Sequence, residues 1–168
     1  MATPTPRPPQ SGPAEGDPAE SWSSDELISA WTCVSVGYTR VTQILTEQVE
    51  RETGLSAASF FALAWLLRGG PAVPLSTLAR KLAFSSGGFT KVADRLEQAG
   101  LIERQPSPCD RRVTNATLTP AGRAQAERAV AVYSAGLREL VLQRLGIHGL
   151  RDLADNMRRL SGDGLAED

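Results

Sequence analysis

Two short amphipathic segments, separated by only a few residues, constrain the fold of this chain more than any other feature. They lie between Leu75 and Gly100, and in each of them apolar residues recur at positions i, i+3, i+4 and i+7, which predicts a helix with one apolar face. In the second segment these residues are Phe89, Val92, Ala93 and Leu96. Ser85 is placed to cap that helix and Gly100 to end it. Two short helices joined by a tight turn, here at Ala83 and Phe84, predict a helix-turn-helix.

A charged hairpin is predicted directly after the second helix. Residues 101–105 indicate a strand, and residues 112–118 mix Val and Thr with polar residues, which predicts a second strand that pairs back onto the first. The turn between them contains two prolines and has arginines near its tip. A helix-turn-helix followed by a basic hairpin is a winged helix, so the predicted fold class is mainly α with a small β-hairpin wing.

The residues of the hairpin also carry a resemblance to a known family. Residues 110–119 fit the wing signature of the multiple antibiotic resistance regulator (MarR) family: Asp-x-Arg, five residues, then Leu-Thr. Residues 94–97 and 99–102 are similar to the end of that family's recognition helix, and residues 120–123 to the start of its next helix. The resemblance covers roughly Leu27 to Leu160. It implies a winged helix-turn-helix with N- and C-terminal dimerisation helices, which binds double-stranded DNA as a homodimer and regulates transcription, most often as a repressor at a pseudo-palindromic operator.

The predicted DNA-contacting residues lie in the second helix and in the wing. Small residues at the helix start let the backbone approach the major groove, and the polar and basic residues that follow reach base edges or phosphates. The family often has larger polar residues where Gly87 and Gly88 stand, which bears on how much base-specific contact this helix makes. By the resemblance, Arg112 enters the minor groove, Asp110 orients the wing and Arg111 contributes to its tip. The predicted set is Ser85, Ser86, Gly87, Gly88, Thr90, Lys91, Arg95, Asp110, Arg111 and Arg112.

The charge distribution favours a nucleic-acid partner although the overall charge does not. The formal net charge of the chain is only −1. Residues 75–124, however, contain eight Lys and Arg against four Asp and Glu, whereas residues 1–74 contain four against eight. Positive charge is therefore concentrated in the helix-turn-helix and the wing, as binding to phosphates requires.

The remaining segments predict a flexible tail and two flanking helical regions. Residues 1–21 are rich in Pro, Ser and Gly and bury too little apolar surface to fold, so a flexible tail is expected; an arm packed on a partner subunit is the alternative. Residues 22–168 form one predicted domain, with the winged helix-turn-helix at about 55–119. Helices are predicted at about 23–53 and 120–161, because both regions contain apolar rows suited to helix packing. Such a row can be ordinary core, and it is the resemblance that implies dimerisation helices in these two regions. In the first region the row is Leu27, Trp31, Val34, Tyr38, Val41 and Leu45.

The sequence offers little for catalysis or metal binding. The single histidine, His148, is predicted in a loop between helices and has no nucleophile or orienting group placed beside it. Phosphate-binding loops, dinucleotide fingerprints and zinc spacings do not occur, so no catalytic residue, cofactor or metal is predicted. Because no apolar run approaches membrane-spanning length and the start does not resemble a signal peptide, a soluble cytoplasmic protein without a membrane partner is expected.

The resemblance suggests two kinds of signal for such a regulator. Family members commonly bind small aromatic or phenolic ligands between the dimer helices and the DNA-binding lobe. The candidate lining residues here are Trp31, Tyr38, Phe61 and Trp65, with ordinary core packing as the alternative explanation. Some relatives sense peroxides through a cysteine near the start of the first helix, where Cys33 lies; an inert buried thiol is the alternative, and Cys109 lies at the wing tip.

A module that binds an acidic protein instead of DNA is the competing functional class.

Overall fold

A computed structural model of the protein describes residues 22–70 and 72–161. The predicted tail at residues 1–21 lies outside these residues. The described elements are α1 (Ser24–Thr53), α2 (Ala57–Arg68), β1 (Val73–Pro74), α3 (Leu75–Lys81), α4 (Ser86–Gln98), β2 (Ile102–Pro106), β3 (Thr114–Leu118), α5 (Pro120–Leu137) and α6 (Gln143–Ser161), with a π-helical stretch (Arg138–Leu142) between the last two. The predicted fold class, mainly α with a small β wing, is confirmed.

The chain divides into two units, residues 1–39 and residues 40–168. In the first unit α1 begins with a capping box. The backbone N–H and the hydroxyl of Ser23 donate to Glu26 Oε2 at 2.8 and 2.7 Å, and Glu26 N–H donates back to Ser23 Oγ at 3.3 Å. Within residues 22–39 no side chain is buried, so the apolar residues of this part of α1 lie on the surface of the chain.

The second unit has its hydrophobic core around α2. This helix is apolar on almost every side, and its residues Phe60, Leu63 and Leu66 are at most 3% exposed. Helices α3 and α4 contribute Leu78, Phe89, Val92, Ala93 and Leu96 to the same core. Burying one such Leu or Phe side chain stabilises the fold by about 1.5–3 kcal/mol. Helices as short as α3 and α4 are marginal alone, so it is this packing that holds them in place.

The hairpin belongs to a three-stranded antiparallel sheet with the strand order β1-β3-β2. Its register pairs Ile102 with Leu118 and Pro106 with Thr114. Strand β1 pairs with the other edge of β3 and was not predicted from the sequence. The reason is its composition: two residues, one of them a proline, carry no strand pattern.

The helices after the wing differ in part from the prediction. Thr119 caps α5 and Pro120 is its first residue. The helical region predicted at about 120–161 changes to π-helical geometry after Leu137, which the sequence analysis did not anticipate. Gly146 interrupts the helix with a φ of 66°, but helical structure resumes at once, and the prediction of a loop at His148 is wrong. One glycine in the left-handed region redirects the chain without a side-chain clash, so no loop is needed.

Candidate nucleic-acid interface

The turn between α3 and α4 is short and tightly hydrogen-bonded. Ala83 adopts a positive φ of 54°, and the following Phe84 N–H donates to Ala79 O at 2.9 Å. Ser85 is the N-cap of α4, with its hydroxyl accepting from Gly88 N–H at 3.2 Å, as predicted. Gly100 follows the helix with a φ of 68° and reverses the chain into β2, also as predicted.

Helix α4 is divided into a buried face and an exposed face. The apolar residues Phe89, Val92, Ala93 and Leu96 are at most 7% exposed and fix the helix on the core. Most of the predicted contact residues lie on the opposite side: Gly87, Thr90, Lys91 and Arg95 are exposed, and Gly88 is half-buried. Ser86 is the first residue of the helix. The exposed face therefore begins with glycine backbone and continues with basic side chains one turn apart.

The tip of the wing is closed by hydrogen bonds from a predicted site residue. Asp110 Oδ1 accepts from Arg112 N–H at 2.9 Å, and Asp110 O accepts from Val113 N–H at 2.9 Å. Ser107 N–H donates to Val113 O at 2.8 Å at the base of this turn. A short acidic side chain that bonds the backbone two residues on is a common way to stabilise a turn. The Asp110 carboxylate thus orders the backbone that carries Arg112.

The two arginines of the wing tip are available to an external anion. Arg111 and Arg112 are exposed, and neither forms a salt bridge with any residue in the described ranges. An exposed guanidinium without a carboxylate partner can turn its N–H donors to bidentate contact with a phosphate or enter a narrow minor groove.

Arg104, on β2, is a residue of this region that the sequence analysis did not single out. Its Nη1 lies 2.7 Å from Asp94 Oδ1, and its Nε donates to Glu97 Oε2 at 2.9 Å, so it bridges the wing and the second half of α4. The hydrogen bond from Arg104 lowers the pKa of Glu97, and the bond to Glu97 raises the pKa of Arg104. Two features of the sequence could have indicated this contact. A pair of acidic residues lies three positions apart on a predicted helix, and a basic residue lies in the strand that follows.

Lys81, at the end of α3, makes a different contact. Its Nζ lies 5.3 Å from the centre of the Trp65 ring, a cation–π distance. Phe61 lies one turn before Trp65 on α2, and both residues are half-buried against the core. Phe61 also meets Tyr133 edge-to-face, with ring centres 5.9 Å apart. Two of the four predicted ligand-lining residues therefore have ordinary packing partners.

The other two predicted ligand residues and the predicted redox cysteine lie on α1. Trp31 and Tyr38 are 57% and 68% exposed and stand about two turns apart on that helix. Cys33 is exposed, as is Cys109 at the wing tip.

His148 is exposed on α6. Across residues 22–70 and 72–161 there is no group of three or more His, Cys, Asp or Glu side chains suited to a metal ion. None of the helices described there is long and apolar enough to cross a membrane.

Both the sequence and the fold are similar to those of known transcriptional regulators. A family model described as "MarR family" matches residues 53–113. The transcriptional regulator MhqR of Bacillus subtilis is 31% identical over 99 residues, which cover 59% of this chain and 67% of that protein. The transcriptional repressor MdtR of the same organism is 31% identical over 110 residues, covering 65% and 70% of the two chains. A MarR family transcriptional regulator from Streptomyces coelicolor, solved in complex with DNA, superposes with a TM-score of 0.74 at 23% identity, covering 88% and 95%.

Proposed function

This chain belongs to the MarR family of DNA-binding transcriptional regulators, and we propose that it represses transcription by binding a pseudo-palindromic operator as a homodimer. In this proposal α4 is the recognition helix and lies in the major groove, which is wide enough to admit an α-helix. The hairpin of β2 and β3 places its tip in the adjacent minor groove. Chromosomal DNA is the target, so the proposed location is the cytoplasm.

One observation carries the proposal: the exposed face of α4 and the exposed tip of the wing both present unpaired basic side chains. Lys91 and Arg95 lie one turn apart on α4, and Arg111 and Arg112 lie at the wing tip. None of the four forms a salt bridge with another described residue. A protein-binding wing would need a partner rich in acidic residues, whereas DNA supplies a phosphate charge about every 1.7 Å along its axis. The spacing of these cations along two elements favours DNA.

The homodimer is supported by the apolar surface of α1 within residues 22–39. Leu27, Trp31, Val34 and Tyr38 recur at intervals of four, three and four residues and are 40–68% exposed. A row of large apolar side chains at this spacing is typical of helix-on-helix packing, and leaving it in water is unfavourable. A second copy of the chain is the occupant we propose. A two-fold dimer would present two recognition helices to half-sites about one turn of DNA apart.

The direct test is an electrophoretic mobility shift of the full-length protein on its own promoter region, with and without excess non-specific DNA. If each protomer neutralises three or four phosphates, the plot of log K against log salt concentration should have a slope of about −5 to −7. Light scattering after size exclusion at micromolar concentration should give the dimer mass. A nearly flat salt slope would exclude the basic surface as the contact, and a monomer at every concentration would exclude the palindromic operator.

The signal that releases the operator remains a prediction with two versions. A small aromatic or phenolic ligand would involve Trp31, Tyr38, Phe61 or Trp65, and oxidation would act through Cys33. Exposure of the Cys33 thiol supports access for an oxidant. Operator binding titrated with phenol, and separately with hydrogen peroxide, distinguishes the two versions. Cys33→Ser should abolish the response to peroxide and leave the response to phenol unchanged.

A further inference from the structure

Phe84 is an exposed aromatic side chain at the entrance to the recognition helix. Within residues 72–119 it is the one large hydrophobic residue that counts as exposed, at 36%. Every other large apolar side chain of the helix-turn-helix and wing is buried or half-buried. A single exposed apolar residue needs no explanation by itself. Its position directly before the N-cap Ser85, on the surface proposed to face DNA, is what makes it informative.

The position of the Phe84 ring is set by its neighbours. The backbone on its N-terminal side is turned by Ala83, and its own N–H is bonded to Ala79 O. The ring centre lies 6.0 Å from that of Phe89, which is only 2% exposed and belongs to the core. A tilted pair at this distance is favourable beyond its buried area. One side of the ring is therefore anchored while the remainder faces solvent.

Gly88, at the start of α4, leaves that ring uncovered. A Cβ atom built on Gly88 would lie 3.7 Å from Phe84 Cδ1, so the ring borders the backbone of Gly88. A Cβ on Gly87 would meet nothing within 4 Å. Gly88, Lys91 and Arg95 are three and seven positions apart, which places them on one side of the helix. The ring thus begins the row whose later members are the proposed base and phosphate contacts, and a longer side chain at residue 88 would cover it.

We propose that Phe84 reads the C5-methyl group of a thymine in each half-site of the operator. The inference rests on the proposed function, since it requires α4 in the major groove. The thymine methyl is the apolar group that base pairs display there, and contact with an apolar side chain such as Phe is one of the ways in which thymine is recognised. The first turn of this recognition helix has glycines instead of long polar side chains, and a fixed aromatic ring beside them supplies apolar readout in their place.

The test removes single methyl groups from DNA. The probe is the duplex that the full-length protein enriches from a random-sequence pool, in which thymines are replaced one at a time by deoxyuridine. This replacement keeps the hydrogen-bonding pattern and deletes only the methyl group. One thymine per half-site should be sensitive, with affinity falling roughly fourfold for one replacement and about fifteenfold for both half-sites together. In Phe84→Ala the same replacement should change affinity by less than about 1.5-fold.

Controls separate this outcome from a general loss of binding. Lys91→Ala should bind more weakly than the wild type yet keep its sensitivity to the methyl group. Phe84→Leu, which retains an apolar side chain on Phe89, should keep part of the sensitivity and serves if Phe84→Ala unfolds in circular dichroism. An unchanged thymine-to-uracil ratio in Phe84→Ala, or an enriched site with no methyl-sensitive thymine, overturns the inference and leaves the proposed function standing. Failure to enrich any sequence overturns both.

Discussion

Among the glycines at residues 22–161, replacement of Gly122 by Ala should destabilise the protein most. Gly122 lies in the first turn of α5, beside the end of α4 and the start of β2. A Cβ atom at this position would lie 1.8 Å from Leu101 O and 2.7 Å from Leu101 C. Both are backbone atoms, so no side-chain rotation relieves the overlap. Ordinary contact between carbon and oxygen requires more than 3 Å, and the helix must therefore move by over an ångström or the wing must shift.

The cost follows from the hydrogen bonds that hold this contact together. Thr119 Oγ1 donates to Gly100 O at 2.7 Å and accepts from Gly122 N–H at 2.9 Å, while Thr119 N–H donates to Leu101 O at 3.1 Å. Overpacking costs about 1–3 kcal/mol, and disturbing a cap and one hydrogen bond adds about 1–2 kcal/mol. The better helix propensity of Ala returns at most about 1 kcal/mol. A net loss of about 2–4 kcal/mol is expected.

Thermal and urea unfolding followed by circular dichroism measure this loss. At 2–4 °C for each kcal/mol in a chain of this size, the melting temperature should fall by roughly 5–15 °C. The matched control is Gly87→Ala, the same substitution in the first turn of another helix, where the added methyl meets nothing within 4 Å. That variant should be as stable as the wild type or slightly more stable. All samples need one protein concentration, because the proposed dimerisation would make melting concentration-dependent. Equal melting of Gly122→Ala and the wild type would refute the close contact and the reasoning built on it.

Four further predictions concern the DNA surface, the bond between Glu97 and Arg104, and the signal. Lys91→Ala should relax discrimination at one operator position by about 1–3 kcal/mol, whereas Arg112→Ala should weaken binding most on operators with A·T-rich flanks, because a narrow minor groove attracts arginine. Equal losses on both kinds of flank, measured by anisotropy, would contradict the assignment of Arg112 to the minor groove. The hydrogen bond from Arg104 lowers the pKa of Glu97 below its ordinary 4.5, so the bond stabilises the fold above pH 4.5 and is lost as pH falls through the lower folded value; in urea unfolding, the stability difference between wild type and Glu97→Gln should be full at pH 7 and should shrink as the pH is lowered below 4.5. Mild peroxide should modify Cys33 more than the other thiol by mass spectrometry; equal labelling of both with unchanged operator binding would leave a small-molecule ligand as the signal.

Local signals in the sequence were sufficient for most of the DNA-binding half. Ser85 and Gly100 were predicted at helix ends from their own chemistry, since a hydroxyl accepts from a free N–H and glycine tolerates positive φ. The wing was predicted from strand composition and from charge, and the basic face of α4 from helical periodicity. These features depend on residues close together in the chain, and such short-range preferences are visible in a single sequence.

The sequence did not determine which residues far apart in the chain contact each other, or which strands pair. Strand β1 forms because it can pair with the free edge of β3, and the sequence of Val73–Pro74 contains no pattern that predicts this pairing. Arg104 was counted as one of eight basic residues in the patch, yet its charge is bound to Asp94 and Glu97 because the hairpin folds back along α4. The proposed role of the exposed Phe84 ring likewise depends on its position beside Gly88 and Phe89, which only the packing of the elements decides. Periodicity decides which side of an element is apolar, whereas the partner that each side chain meets is decided by how the elements pack in three dimensions.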